Sequence, residues 1–178
     1  MDIIEAQADA RRAYANAAVG VAVSGTIWIT AGVIALGGNV KIAMLALFFG
    51  GMAINPLSSF IETKLLKLGA VNKENKLIWL GLQTVPVILL GMFAGFLLAP
   101  SNQVAFFAFT SMAIGARYLS FQTLYGMMHY ILLGFTLLAL GFAAVWLGWT
   151  SSAGLALAVG AIESSFALII ARARPFSK

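Results

Sequence analysis

Apolar residues run through this chain in six long stretches separated by short polar breaks. They extend from about Tyr14 to Leu36, Val40 to Phe60, Leu77 to Ala99, Val104 to Phe121, about His129 to Leu147, and Ala153 to Ala171. A helix needs about 20 apolar residues to cross roughly 30 Å of hydrocarbon, so each stretch predicts a transmembrane helix. The breaks "GGN", "PSNQ" and "WTSS" are tight-turn sequences and pair the spans into three hairpins. Residues 1–13 predict an amphipathic helix at the membrane interface. Asp2 and Glu5 have the spacing of a helix start, and Arg11 and Arg12 end it before the first span. The acidic residues Asp2, Glu5 and Asp9 do not suit a secretory signal. Residues 172–178 form a basic tail. The predicted fold class is all-α: an integral membrane bundle of six transmembrane helices over residues 14–171.

Composition and charge sharpen this picture. The 178 residues are 61% hydrophobic and 10% charged, against about 45–50% and about 25% in soluble domains. One soluble core would not hide that much apolar surface, so the bilayer is the solvent. Ten of the eleven Lys and Arg residues fall on the side of the two termini, and only Lys41 falls on the other. Positive residues mark the cytoplasmic face, which predicts a multi-pass protein of the bacterial inner membrane with both termini inside. The loop 62–76 intersperses lysines with leucines and is expected to lie on the anionic inner leaflet, making membrane lipids its partner. Tyr14, Tyr118, Tyr125, Tyr130 and Trp79 fall toward the inner boundary and Trp146 and Trp149 toward the outer one, as interfacial belts require. Trp28 is the exception, deep in the first span.

Several chemistries are excluded or disfavoured. There is no cysteine for disulfides or thiolate sites, and the single His129 does not make a histidine-rich metal site, so no cofactor is expected. No basic cluster with interleaved aromatics points to nucleic acid. Neither G-x-S-x-G nor HExxH occurs, and the paired acidic motifs of intramembrane metalloenzymes are missing, so the chain does not read as an enzyme.

The second helices of the three hairpins can be overlaid without gaps. Met52-Ala53-Ile54-Asn55 then falls on Met112-Ala113-Ile114-Gly115 and on Gly160-Ala161-Ile162-Glu163. A triplication of this kind predicts three parallel two-helix units around a pseudo-threefold axis. The competing division is two inverted three-helix units, the usual transporter arrangement. Small residues at four-residue spacing, Gly91 and Gly95, Gly20 and Ser24, and Ala156, Gly160 and Ser164, mark expected helix contacts.

Within the spans, polar residues gather at one depth. At roughly 1.5 Å per residue, Asn55 lies about 22 Å, Arg117 and Gln83 about 20 Å, and Glu163 about 15 Å from the outer ends of their helices. Ser24 is near the middle of the first span. A lone Glu in hydrocarbon costs several kcal/mol unless protonated or paired. Arg117 is the only cation at a matching depth, so an Arg117–Glu163 pair is expected, with Asn55, Gln83 and Ser164 or Ser165 filling its hydrogen bonds. Pro56 and Pro86 remove backbone hydrogen bonds beside Asn55 and Gln83 and can kink those helices. The segment 115–130, with Arg117, Tyr118, Ser120, Gln122, Thr123, Tyr125 and His129, reads either as a mouth for an anionic or polar ligand or as interfacial anchoring.

The segments "RRAY", "SGTIW", "LFFGGMAINPLS" and "ARYLSFQTLYG", in this order, resemble an uncharacterised family of small bacterial six-span membrane proteins. That resemblance implies a six-helix fold and no particular substrate. The three-hairpin layout is also similar, in architecture alone, to the acid-resistance membrane proteins that include HdeD. Two functions fit the residues. One is a small transporter or permeation protein, monomeric or a homo-oligomer, in which Glu163 binds a cation or carries a proton within a layer of Arg117, Asn55, Gln83 and Ser24. The other is a structural or accessory membrane protein in which the same pair is a packing pin.

Overall fold

The computed structural model describes residues 1–173; Arg174 and Lys178 of the basic tail lie outside the described residues. The helices are α1 (Ile3–Ala13), α2 (Ala18–Leu36), α3 (Val40–Phe60), α4 (Trp79–Gln83), α5 (Val85–Leu98), α6 (Gln103–Tyr125), α7 (His129–Trp146) and α8 (Ser152–Arg172). Regular structure among the described residues is all helical. Six helical segments are long and apolar enough to span a membrane: Ala15–Leu36, Val40–Leu65, Lys76–Leu98, Gln103–Tyr125, His129–Trp146 and Ser152–Arg172. They coincide with the six apolar stretches of the sequence. The fourth runs four residues further than its hydropathy suggests, because Gln122, Thr123 and Tyr125 continue the helix until Gly126, in a left-handed conformation, closes it.

Local chemistry explains the element ends. Asp2 accepts a hydrogen bond from the Glu5 amide at 2.8 Å, and the Asp2 amide donates to the Glu5 carboxylate at 3.3 Å, a reciprocal capping box that starts α1. Asn102 and Ser151 cap α6 and α8 through their side-chain oxygens. The third span is broken at Thr84. Pro86 has no amide hydrogen to donate, and the Thr84 hydroxyl donates to the Gly81 carbonyl at 3.0 Å, so α4 ends and α5 begins there. Around Pro56, by contrast, α3 continues to Phe60 and then widens into a loose turn over Ile61–Leu65.

The packing corrects the expected threefold arrangement. Helix α2 lies between α3 and α8, and α6 lies between α5 and α7, giving two groups of three that meet through thinner contacts of α6 with α8 and α3, and of α7 with α8. The first two hairpins are closely paired, but α7 and α8 touch each other only lightly, each lying along a helix of another hairpin. Three equivalent two-helix units are therefore not present. The cause is where the small residues fall. On α2 and α8, Gly25 and Gly160 let the backbones meet: a Cβ added to Gly25 would sit 2.6 Å from Ser164 Oγ, and one added to Gly160 would sit 2.8 Å from the Ile29 amide nitrogen. Gly115 of α6 and Gly134 of α7 face each other in the same way. Gly91 and Gly95 seat α5 on Ala113 and Phe106 of α6, as their spacing predicts.

Helix α1 closes one end of the bundle. Its buried face is Ala6, Ala10 and Ala13, small enough for close docking. Gln7 donates to the Thr123 carbonyl at 2.8 Å and Arg11 to the Tyr125 carbonyl at 2.6 Å, satisfying acceptors that the end of α6 would leave open.

Candidate functional site

Glu163 stands on α8 with none of its surface exposed. The Tyr118 hydroxyl, from α6, donates to its Oε1 at 2.8 Å. Ser24 on α2 is the other polar neighbour of this carboxyl and is itself buried. Oε2 nevertheless has no hydrogen-bond partner. One helical turn beyond Ser24, the indole of Trp28 is fully buried, and its Nε1–H also lacks a partner. The interior thus holds an orphaned acceptor and an orphaned donor, and each such group costs about 1–3 kcal/mol.

Arg117 is not the counter-ion of Glu163. Its guanidinium carbon lies 5.1 Å from the centre of the Phe121 ring, and the ion pair formed among the described residues is Arg12–Asp9 at 2.6 Å. The correction has a geometric cause. Depth along a helix says nothing about direction around it, and neighbouring residues point about 100° apart. Position 117 falls on the side of α6 that carries Ala113 and Leu124, which pack on α5 and α4, whereas Tyr118 turns to α8. Asn55 and Gln83 do not join the cluster either; both are exposed on outward faces of α3 and α4. Ser165 bonds the Ala161 carbonyl of its own helix at 2.8 Å, and Ser164 packs against Gly25. Of the expected layer, the structure brings together Glu163 and Ser24.

An aromatic cluster connects this carboxyl to the α1 end. Tyr118 and Tyr130 stack with ring centres 6.0 Å apart, Tyr125 and Tyr130 lie 5.5 Å apart, and Phe121 packs edge-on against all three. These tyrosines are buried, so they are core rather than the interfacial belt their sequence positions suggest. The Tyr130 hydroxyl donates to the Asn16 carbonyl. Asn16 in turn donates from Nδ2 to the carbonyls of Ile170 at 3.2 Å and Ala173 at 3.4 Å, capping the end of α8. Ala15, Asn16 and Ala17 all have positive φ (47°, 60° and 60°), a left-handed turn that side chains with a Cβ adopt only at a cost. Anchoring by Tyr130 and the end of α8 holds this turn in place.

A second carboxyl, Glu62, is buried in the loose turn that follows α3. The rings of Tyr118, Tyr130 and Tyr125 run from Glu163 toward the α1 end. Sequence reading missed Trp28 and Tyr130 as parts of the cluster, and left Tyr118 between a ligand mouth and interfacial anchoring. The signal for Tyr118 was its position one residue from Arg117 at the depth of Glu163.

The sequence matches the profile of DUF7010, a family of unknown function, over residues 3–173. The chain belongs to that family. No curated protein and no solved structure matches it. Membership therefore brings no substrate or reaction, and the likeness to HdeD-type proteins gains no support. What the comparison adds is that the family's profile covers α1 as well as the six spans.

Two surface hollows lie away from the cluster. One is lined by Ser101, Asn102, Gln103, Trp149 and Ser152 at the end opposite α1, and the other by Met112, Phe135, Leu138, Ala139 and Phe142 between α6 and α7. Neither reaches Glu163. Within the described residues, no group of three or more His, Asp or Glu is placed to hold a metal ion.

Proposed function

We propose that this is a small transporter or permeation protein, and that its working group is Glu163, a carboxyl that takes up and releases a proton. The observation that carries this reading is the half-satisfied carboxyl: one oxygen held by Tyr118, the other without a partner, in a fully buried position. A proton suits this site better than a larger cation, because it needs no cavity and the hollows lie elsewhere. The packed rings of Tyr118, Tyr130 and Tyr125 place hydroxyls along a route from Glu163 toward the α1 end. In this reading both termini face the cytoplasm of a bacterium, and the exposed Lys64, Lys67, Lys73 and Lys76 rest on the anionic inner leaflet.

The test is proton flux in proteoliposomes loaded with a pH-sensitive dye, under an imposed pH step. Wild type should dissipate the step, and Glu163→Gln should slow it by at least about tenfold while leaving the fold intact. Equal flux in wild type, Glu163→Gln and empty liposomes would rule the reading out.

A second reading, a structural or accessory membrane protein, is favoured by the enclosure of the same site. Glu163 is fully buried beside a close helix contact, where Gly25 meets Ser164 and Gly160. In that case Glu163→Gln would lower thermal stability and leave flux at background.

A further inference from the structure

Two amides in the spans face away from the protein. Asn55 on α3 and Gln83 on α4 are exposed, while their neighbours Ser58 and Thr84 turn inward and bond carbonyls of their own helices at 2.7 Å and 3.0 Å. Each amide lies about 20 Å from the end of its span opposite α1, well within hydrocarbon depth. A lipid chain offers neither donor nor acceptor, and an amide left without partners there costs about 2–7 kcal/mol. Pro56 and Pro86 add to the polarity. Each withholds a hydrogen bond from the carbonyl four residues earlier, those of Met52 and Leu82.

The helices that carry these amides are also the least enclosed. In the most apolar 18-residue stretches of the spans containing α3 and α4–α5, 17% and 11% of the residues are buried, against 61% for α6. On α3, Gly51 lies one turn before Asn55 on the same outward face, and a Cβ added there would meet nothing. A Gly-x-x-x-Asn face of this kind allows close backbone approach and offers a hydrogen bond at the point of contact.

We propose that two copies of this chain associate through the outward face of α3, with Gly51 at the crossing and Asn55 bonded to Asn55 of the second copy. A second copy is the occupant that the chemistry selects. An amide is donor and acceptor together, so it is complementary to itself across a twofold axis. Copies inserted in the same orientation place their Asn55 residues at one depth.

The natural chain has no cysteine, so one introduced thiol reports on one position. Met52→Cys and the control Phe135→Cys, both lipid-facing (64% and 59% exposed), would be oxidised in liposomes at a low protein-to-lipid ratio. The inference predicts disulfide-linked dimers at Met52→Cys at least about tenfold faster than at Phe135→Cys, through the raised effective concentration at the contact. Asn55→Val in the Met52→Cys background should remove that advantage, and native mass spectrometry of otherwise wild-type protein should shift from dimer to monomer with Asn55→Val. Asn55→Gln, which keeps an amide, should retain most of the dimer. Equal cross-linking at the two positions, or a wild-type monomer carrying tightly held lipid or a different protein, would overturn the inference.

Discussion

The Tyr118 hydroxyl donates to Glu163 Oε1 at 2.8 Å, and both residues lie in the core, one on α6 and one on α8. This is a direct polar link between the two three-helix groups, which otherwise meet through thin contacts and the Tyr130–Asn16 bond. Tyr118→Phe removes the donor and leaves the whole carboxyl without a strong partner. The expected loss is about 1–3 kcal/mol, read as a lower unfolding midpoint in detergent. Glu163→Gln keeps an acceptor for the hydroxyl and should be the milder change. If Tyr118→Phe unfolds like wild type, the bond does not hold the groups together.

Arg117 and Glu163 are at similar depth, but Arg117 lies on the face of α6 turned away from α8, so they should behave independently. A double-mutant cycle between Arg117→Ala and Glu163→Gln is expected to give a coupling energy below about 0.5 kcal/mol. Arg117→Ala alone should cost about 0.5–1 kcal/mol through its lost contact with Phe121. A coupling of several kcal/mol would restore the ion pair that the structure does not contain.

The left-handed turn at Ala15–Ala17 is held against its own preference. Ala15→Gly removes the steric conflict at φ 47° and should raise stability by about 0.5–1 kcal/mol, net of the extra freedom glycine has when unfolded. Tyr130→Phe should have the opposite sign, because the turn loses its anchor on the Asn16 carbonyl. These two shifts are measured in the same thermal unfolding series.

Asp9 ties α1 to the loop before α4. It accepts from the Asn72 amide at 2.9 Å, from Asn75 at 3.0 Å and from Arg12 at 2.6 Å. Burial pulls its carboxyl upward, but these hydrogen bonds and the Arg12 charge outweigh it and hold Asp9 below its ordinary 3.8. A carboxyl lowered on folding contributes stability above that ordinary value and loses it as pH falls through the lower folded value. The protection of the Asn72 amide from hydrogen exchange, relative to its intrinsic rate, should therefore fall in acid, below about pH 4, and Asp9→Asn should flatten that pH dependence. An acid response that survives unchanged in Asp9→Asn would assign it to other groups.

Most of the architecture was legible in the sequence because bilayer thickness fixes helix length. The six spans, the Asp2–Glu5 cap and the break near Pro86 each follow from short-range rules. The site was only half legible. Glu163 and Ser24 stand out as polar residues at one depth, but which residue faces them depends on helix rotation and on where glycines allow backbones to meet. That is why depth selected Arg117 and packing selected Tyr118, and why Asn55 and Gln83 belong to the outer surface. The threefold repeat failed for a related reason. The overlaid motifs describe single helices, whereas Gly25 with Gly160, and Gly115 with Gly134, decide which helices pair.

Proton exchange at Glu163 inside the bundle is the central step of the proposed function. The most direct measurement is infrared difference spectroscopy of membrane-reconstituted protein, stepping between about pH 4 and about pH 9. A carboxylic-acid carbonyl band should appear and disappear with pH. It should vanish in Glu163→Gln and shift in frequency in Tyr118→Phe, which changes the hydrogen bond to the same carboxyl. A band that never changes across that range, or a pH response identical in Glu163→Gln, would contradict the account and leave Glu163 as a packing residue.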